Sequence, residues 1–441
     1  MQAKNNTVEV LFGNGHLSIQ LPENADVTVI RKRPMPLVES LADSVREALS
    51  DPVVPSGASK QTLAQMARGA RSACIAICDI TRPVPNHLFL RPLIESLVDG
   101  GISLDRITVL VATGLHRPNL GDELAELVGD PWVLENVGVV NHDALSDSDH
   151  VDLGRTKTRG TPVKLDRRFA EADIRIATGL VEPHFMAGYS GGRKVIAPGL
   201  AHADTIRTFH NHKFMSNSAA TNCNLAGNPL HEEQLEIVQL IGGALAVNTV
   251  IDENRKLSMI NFGEIVASHA EAVNYIKDFC RVSVPSAFDC VVTSAAGYPL
   301  DKTYYQTVKG IVGAVDILQR GGELFIASDC GEGVGSPEYS AAQRQLTRLG
   351  CEGFLKSIRD QPLAEIDAWQ TQMQTKALSV GSVTLYSSLS AEDCKLTGVK
   401  CTSELEQFES AIAAAISRSE TGSVAVIPEG PYVIPYCSSE P

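Results

Sequence analysis

The chain has 441 residues, enough for two or three domains of ordinary size, and carries a formal net charge of −14. Apolar residues make up 44% of the chain and charged residues 20%, which favours packed cores over disorder. The acidic balance argues against a nucleic-acid partner, because proteins that bind nucleic acids concentrate Lys and Arg to neutralise phosphates. A local basic pocket for a small anion is still compatible with it.

The sequence carries no signal for a membrane or for export. No window approaches the roughly 20 continuous apolar residues that span a bilayer. The segment from Met1 to Gln20 lacks the basic-then-apolar layout of a secretory signal. The ten cysteines form no C-x-x-C pair, so we expect reduced thiols and no structural zinc site. We therefore expect a cytoplasmic protein without a membrane partner.

The predicted elements begin with an antiparallel hairpin, because apolar residues alternate on both sides of Gly13-Asn14-Gly15. A helix is predicted over Leu37–Ser50. Short apolar runs then alternate with segments of helical periodicity, and four of these runs lead into the polar clusters DITRP, TGLHRP, NHD and EPH. The four runs are Ser72–Ile80, Ile107–Ala112, Asn136–Val140 and Asp173–Ala177. Because parallel sheets bind ligands at the carboxyl ends of their strands, the clusters indicate one shared crevice.

A second series of alternating elements starts after about residue 280. Predicted strands are Phe288–Ser294, Gly322–Ser328, Val383–Tyr386 and Ser423–Ile427, and predicted helices are Ala341–Leu349 and Ser403–Arg418. Alternation of this kind predicts an α/β fold with two α/β domains and largely parallel sheets. We place the N-terminal domain at 1–284 and the C-terminal α/β domain at 285–441, with the last helix and strand free to pack back on the N-terminal domain.

The segment Gly188–Lys194 (GYSGGRK) combines small residues with two cations, which suits close approach of the backbone to an anion. It is not a phosphate-binding P-loop, since Val195 follows the lysine. A flexible surface loop with two solvated charges is the alternative interpretation.

Four of the eleven histidines flank or follow this loop, at positions 184, 202, 210 and 212. No H-E-x-x-H pattern is present, and the side chains of His210 and His212 would diverge on a helix, so at most one of them is a candidate metal ligand. His116 and His142 follow predicted strands and are candidate acids or bases. Hydrogen-bonded loop histidines without a catalytic role are the alternative.

Two further pairs of residues are candidates. Asp79 and Arg82 either pair with each other, or Asp79 orients a histidine while Arg82 binds a carboxylate or phosphate. Gln306 and Lys309 share one helix face and either hold a substrate or form an exposed helix edge.

Together, the segments DITRP, TGLHRP, NHD, EPHFMAGYSGGRKVIAPG, TFHNHKF and YYQTVKG, between about Asp79 and Gly310, resemble the lactate racemase family. That family uses a nickel-pincer nucleotide, the Ni(II)-pyridinium-3,5-bisthiocarboxylate mononucleotide. The resemblance implies that Lys194 tethers this cofactor and that His210 is the metal ligand from the protein. It also implies an active site in the interdomain cleft, with the N-terminal domain binding the cofactor and carrying the catalytic groups.

The resemblance implies the remaining roles as well. His116 and His184 correspond to the paired catalytic histidines, and Gln306 and Lys309 to the substrate-binding pair. The cofactor-contacting stretch is Asp79, Ile80, Thr81 and Arg82. We expect the nucleotide phosphate at Arg82, Arg193 or nearby backbone N–H groups. Candidates to line the pocket are Phe185, Tyr189, Tyr304 and Tyr305.

The function implied is an isomerase that inverts C2 of a 2-hydroxycarboxylic acid by hydride transfer through a 2-oxoacid. A hydride acceptor has to be a cofactor, and a histidine is needed on each face of the substrate to handle the hydroxyl proton. Soft sulfur ligands together with imidazole suit nickel. Cofactor-synthesis proteins are implied partners. The substrate stays open among lactate, malate, aromatic lactates and sugar acids.

Two alternatives are a noncatalytic protein that binds the nickel nucleotide and a metal-dependent hydrolase. The hydrolase would use His184, His210 and an acid as metal ligands, with an open position for water.

Overall fold

A computed structural model describes residues 6–419 and 421–438. Its first six-stranded sheet contains the four predicted strands of the N-terminal half. All neighbours in this sheet are parallel except the first pair. The strands, in spatial order, are Leu257–Glu264, Leu245–Ile251, Ile174–Leu180, Ala73–Cys78, Ile107–Ala112 and Gly138–Asn141.

The second six-stranded sheet is parallel throughout. In spatial order its strands are Lys400–Thr402, Ser382–Tyr386, Leu318–Ala327, Phe288–Ser294, Ser423–Ile427 and Asp26–Val29. The prediction of α/β architecture with largely parallel sheets is therefore confirmed. Short apolar runs of this composition form strands that are buried on both faces, which parallel sheets require.

Helices cover both faces of each sheet, and separate apolar clusters lie on the two sides. In the first half the helices are Leu41–Ser50, Leu63–Met66, Asn86–Asp99, Gly121–Val128, Pro131–Asn136, Arg167–Ala170, Arg193–Ile196, Ala203–Phe209, His212–Met215, Pro229–Leu240 and Ile265–Cys280. In the second half they are Tyr304–Gly313, Pro337–Ile358, Ala368–Leu378, Ala391–Cys394 and Leu405–Arg418. Single 3-10 turns occur at Leu104–Arg106, Asp147–Asp149, Val315–Ile317 and Gly430–Tyr432.

Four two-stranded ribbons complete the described fold. They pair Thr7–Phe12 with Gly15–Gln20, His150–Arg155 with Pro162–Asp166, Pro183–His184 with Gly188–Tyr189, and Arg281–Val284 with Ile434–Cys437. The first ribbon confirms the predicted hairpin, in which Phe12 faces Gly15. Within the described residues, no helix is long and apolar enough to cross a lipid bilayer.

The N-terminal segment packs with the second half of the chain. Val10 and Ile19 of the hairpin are fully buried in one apolar cluster with Phe325 and Phe408. The strand Asp26–Val29 then forms the edge of the second sheet. The last helix and the strand Ser423–Ile427 also lie in this second unit. The division of the chain at residue 284 stays a prediction. Residues 6–30 belong to the N-terminal side of that division in sequence, but they pack with the second sheet.

We expect Ile19→Ala to destabilise the C-terminal half, because it removes a fully buried side chain from the contact between the hairpin and the second sheet. A loss of about 2–5 kcal/mol in the free energy of unfolding is typical of such a truncation. Urea unfolding followed by circular dichroism measures it, with exposed Ser18→Ala as the control. An unchanged unfolding midpoint in Ile19→Ala would show that the hairpin is not part of that core.

Candidate active site

A pocket of about 140 Å³ lies where the strand ends of the first sheet meet two helices of the second half. The helices are Tyr304–Gly313 and Ala368–Leu378. Gly310 permits close packing of the first of these helices on the strand Phe288–Ser294 of the second sheet, because a Cβ at this position would lie 2.5 Å from the Ser294 carbonyl oxygen. The pocket brings together nine predicted site residues: Asp79, Thr81, Arg82, His116, His184, Lys194, His210, Gln306 and Lys309. The tenth, Ile80, packs on the apolar core instead, and its N–H donates to Asn119 Oδ1 at 3.3 Å.

Asp79 orients His116. The carboxylate Oδ2 lies 2.6 Å from Nδ1 of His116, and Oδ1 accepts the Thr81 hydroxyl at 2.6 Å. Burial alone would raise the pKa of Asp79, but His116, Thr81 and Arg82 together hold that pKa below its usual value. An ionised Asp79 favours the tautomer with the proton on Nδ1, which leaves Nε2 of His116 with a free lone pair. His116 is therefore arranged as a base.

His184 has a different environment. Its Nδ1 accepts the backbone N–H groups of Met186 and Ala187 at 3.3 and 3.1 Å. Burial, with the nearby charges of Lys194 and Arg82, lowers the pKa of His184 well below its usual value. The neutral ring then carries its proton on Nε2, so His184 is arranged as a hydrogen-bond donor.

Lys194 follows two glycines with positive φ, Gly191 at 75° and Gly192 at 49°. A Cβ on Gly192 would lie 2.9 Å from the His269 ring, so this turn requires glycine for space as well as for conformation. Burial and the positive charge of Arg82 lower the pKa of Lys194 to about 7. A large fraction of Lys194 is thus an unprotonated amine near neutral pH.

Arg82 forms an ion pair with Glu182, not with Asp79. Burial opposes the charge of Arg82, but Glu182 together with Cys78, Tyr432 and Asp79 raises the pKa of Arg82 above its usual value. Lys309 is also buried, and burial together with the charge of Arg82 lowers its pKa well below the usual value. The sequence alone assigns Glu182 no role, because its partner Arg82 lies 100 residues away along the chain.

Arg193 points into the protein and is not among the pocket-lining residues, so the expectation that it contacts the phosphate is not supported. Its Nε donates to His231 at 2.8 Å, and its Nη2 donates to the carbonyl oxygens of Ala187 and Tyr189 at 3.0 and 3.2 Å. These bonds fix the loop between His184 and Lys194. Burial lowers the pKa of Arg193 to about 9.

His210 presents a free imidazole nitrogen. Its Nδ1 lies 2.9 Å from the Ile206 carbonyl oxygen, which must receive a proton from it, so Nε2 keeps its lone pair. Burial lowers the pKa of His210 to about 3. His202 and His212 do not line the pocket. His202 caps the helix Ala203–Phe209, and its Nδ1 accepts the Asp204 N–H at 3.1 Å.

His142 also lies outside this pocket. Its Nε2 is 3.0 Å from Nε2 of His150, a spacing that requires one ring to donate to the other. Of the four aromatic candidates, Phe185 and Tyr305 line the pocket. Tyr304 is buried in the second half, where its hydroxyl donates to the Thr397 carbonyl, and Tyr189 is buried in another apolar cluster.

Three further residues that line the pocket were not predicted from the sequence, and they lie at the start of the helix Ala368–Leu378: Asp367, Trp369 and Gln370. Trp369 lies with its ring centroid 5.0 Å from that of His210, and its Nε1 donates to the Tyr305 hydroxyl at 3.3 Å. This helix is buried on nearly all sides, so its polar sequence lacks an apolar stripe. Trp369 is one of two tryptophans in the chain, and this rarity is the sequence feature that could have pointed to these residues.

The residues present fit a cofactor that brings most of its own metal ligands. Among the described residues, no group of three or more His, Cys, Asp or Glu side chains is arranged to hold a metal ion. A hydrolase metal centre made of His184, His210 and an acid is therefore not formed by these residues. His210 offers a single imidazole, and Lys194 offers an amine with a pKa of about 7. This pair suits a nucleotide that carries sulfur ligands and is tethered to the chain. Gln306 Oε1 is buried without a hydrogen-bond partner and suits a bound donor.

Two family profiles match the chain. Residues 12–222 match the profile described as "Lactate racemase N-terminal domain", and residues 284–434 match "Lactate racemase C-terminal domain". A lactate racemase from Thermoanaerobacterium thermosaccharolyticum is 30% identical over 380 residues, which are 84% of this chain and 85% of that protein. A lactate racemase from Lactiplantibacillus plantarum is 33% identical over 300 residues, 67% of this chain and 68% of that protein.

Solved structures agree with these matches. The lactate racemase apoprotein from T. thermosaccharolyticum superposes with a TM-score of 0.87 at 28% identity, covering 97% of this chain and 99% of that one. A Thermotoga maritima protein superposes with a TM-score of 0.67 at 15% identity, covering 85% of this chain and 96% of that one, which supports the fold alone.

We expect Lys194 to react with a small acylating reagent at a lower pH than other lysines. Its pKa of about 7 means that its reaction rate rises with pH and levels off soon above neutrality. An ordinary exposed lysine keeps gaining reactivity up to about pH 10. Peptide mass spectrometry after brief acetylation between pH 6 and 10 compares Lys194 with exposed Lys256. A reactivity midpoint of Lys194 above pH 9 would contradict the assigned environment.

Proposed function

The chain belongs to the lactate racemase family, and from this premise we propose that it is a racemase or epimerase that inverts C2 of a 2-hydroxycarboxylic acid. The observation that carries the proposal is the pocket in which two unlike histidines, His116 and His184, adjoin Lys194, His210 and Lys309. Acid–base groups, a candidate tether, a candidate metal ligand and a cation for the substrate's carboxylate thus line one space.

The substrate would bind between the two halves of the chain. Gln306 and Lys309 lie on one face of the helix Tyr304–Gly313 and line the pocket opposite the strand ends of the first sheet. Lys309 would pair with the carboxylate, and the unpartnered Gln306 Oε1 would accept the hydroxyl or another donor. We further propose that this cleft closes over the substrate, which would keep water away from a 2-oxoacid.

Inversion at C2 needs hydride transfer because the neighbouring carboxylate already carries negative charge and stabilises a C2 carbanion poorly. When bound, a nickel-pincer nucleotide would accept the hydride and return it, with Lys194 as the tether and His210 as the protein ligand. The protein would have to receive this cofactor from separate synthesis proteins.

The chain's own residues handle the hydroxyl proton. His116, held by Asp79 with its Nε2 free, would accept the proton as the hydroxyl becomes a carbonyl. His184, with its Nε2 protonated and its Nδ1 accepting two backbone N–H groups, would hold the carbonyl oxygen through a hydrogen bond when hydride returns to the other face. Protonated His116 would then give its proton back to that oxygen. Arg82 and Thr81 line the same wall and would hold the anionic parts of the cofactor.

The test is a C2-epimerisation screen of cofactor-loaded protein, read by chiral chromatography over lactate, malate, phenyllactate and sugar acids. Mass spectrometry of the Lys194 peptide examines the tether in parallel. Lys194→Ala should lose covalent cofactor, and His210→Ala should lose nickel while it stays folded. Absence of epimerisation of every hydroxyacid by the loaded wild type would overturn the proposal.

A deuterium label at C2 distinguishes hydride transfer from proton removal. If hydride moves, a substrate deuterated at C2 gives an epimer that keeps its deuterium, and unlabelled substrate in D2O gains none. Proton abstraction to a solvent-exposed base would wash the label out. NMR of the isolated product measures retention, and substantial loss of label at low conversion would contradict the hydride route.

Substitution of the two histidines should affect the two enantiomers differently. We expect His116→Ala to slow oxidation of one enantiomer by about 100-fold or more, as loss of a general base typically does, and His184→Ala to act mainly on the other. Single-turnover measurements with each enantiomer separate the effects. Equal losses with both enantiomers in both variants would contradict the assignment of one histidine to each face.

A further inference from the structure

Glu182 stands at the boundary between the pocket and the second half of the chain. Its backbone is fixed by Ser190, whose N–H donates to the Glu182 carbonyl at 2.9 Å and whose Oγ accepts the Glu182 N–H at 3.1 Å. The side chain is 8% exposed, and one carboxylate oxygen binds Arg82. The other oxygen, Oε2, is buried without a hydrogen-bond partner. A buried acceptor without a partner is uncommon and calls for an explanation.

A small cavity of about 10 Å³ offers one. Its walls include Glu182 and Arg82 from the first half and Lys309 and Tyr432 from the second. This is about the space of a single water molecule, and the walls provide the polar partners that a buried water requires. Such a bridge would give Oε2 a hydrogen bond and would link it to Lys309.

The charges in this region need a carboxylate. Three basic side chains, Arg82, Lys194 and Lys309, line the main pocket. Of the two carboxylates there, Asp79 is already bound to His116 and Asp367 accepts the Ser336 hydroxyl. Glu182 is the acidic partner of Arg82 and raises the pKa of Lys309 against the effect of burial. Without it, Lys309 would be buried beside two other cations and would lose its proton more readily.

We propose that Glu182 is a positioning residue that fixes Arg82 and, across the 10 Å³ cavity, holds Lys309 charged and in place for the substrate's carboxylate. The proposal rests on the proposed function for the role of Lys309, and it adds a residue that does not itself touch the substrate. Charged or titratable groups that face Lys309 from the elements around it are Asp79, Arg82, Glu182, His184, Lys194 and Tyr432. Of these, Glu182 is the carboxylate not already committed to a histidine.

The test replaces Glu182 by Gln, which keeps the shape and removes the charge, in cofactor-loaded protein. We expect KM for the hydroxyacid that the wild type epimerises to rise about tenfold or more, the size typical of a lost charge-assisted bond, with a smaller change in kcat. Affinity for the carboxylate needs protonated Lys309 and is lost as pH rises through the pKa of that lysine. In Glu182→Gln the pKa of Lys309 falls, so the loss of affinity at high pH, which is the alkaline limb of the pH profile, should move to lower pH.

Two further variants keep the test decisive. Glu233→Gln is the matched control, since Glu233 is a buried carboxylate paired with Arg159 away from the pocket, and it should leave the pH profile unchanged. Glu182→Asp retains the charge on a shorter side chain, so it should raise KM while the alkaline limb stays near that of the wild type. An unchanged KM in folded Glu182→Gln, or a loss of activity with no movement of the limb, overturns the proposal. If Glu182→Gln does not fold, an unchanged KM in Glu182→Asp overturns it.

Calorimetric binding of lactate between pH 6 and 10 separates this proposal from the function itself. One outcome is that the wild type binds lactate without turning over any hydroxyacid, while the alkaline fall of its lactate affinity moves to lower pH in Glu182→Gln. That result would overturn the catalytic function and support the role of Glu182. If the wild type epimerises a hydroxyacid and Glu182→Gln has the same pH profile, the catalytic function is supported and the role of Glu182 is overturned. Absence of both turnover and binding overturns both.

Discussion

Burial of positive charge is the constraint on which the site depends. Four cationic side chains, Arg82, Arg193, Lys194 and Lys309, are taken largely out of water where the two halves of the chain meet. An unpaired buried charge costs several kcal/mol, so each cation must find a partner or give up its proton. Arg82 pairs with Glu182, Arg193 donates to loop carbonyls and histidine rings, and the two lysines respond with lowered pKa values.

These different solutions separate the roles of chemically similar residues. Arg193 and Lys194 are adjacent in sequence, yet one is bonded into the protein and holds the loop in shape while the other faces the pocket. The arginine cannot release its proton easily, which suits a structural part. The lysine can, which suits an amine that has to react. The two glycines before them adopt positive φ and form the turn that leads into both side chains.

The sequence predicted those parts of the site that are local to the chain. Polar residues directly after buried strands, such as Asp79 and His116, were found because parallel strands bring their carboxyl ends to one edge. Ile80 was included only because it lies inside a recognised stretch, and from the turn after the strand it packs on the apolar core. Asp367 and Trp369 escaped because a helix buried on all sides has no periodic pattern. The edge strand Asp26–Val29 escaped because its partner, Ser423–Ile427, lies nearly 400 residues along the chain.

The unlike hydrogen bonding of His116 and His184 gives the resting site a handedness that a racemisation lacks. One ring offers a lone pair and the other a proton, so the two mirror-image substrates meet different groups at their hydroxyl oxygens in the resting site. Mirror-image acids have equal free energies, so for a racemisation kcat/KM must be the same in both directions whatever the resting protonation. Any advantage in kcat for one hand must then be matched by weaker apparent binding of that same hand. An asymmetry that comes from a few hydrogen bonds can thus change kcat and KM for each enantiomer, while the equilibrium ratio of the two enantiomers stays at one.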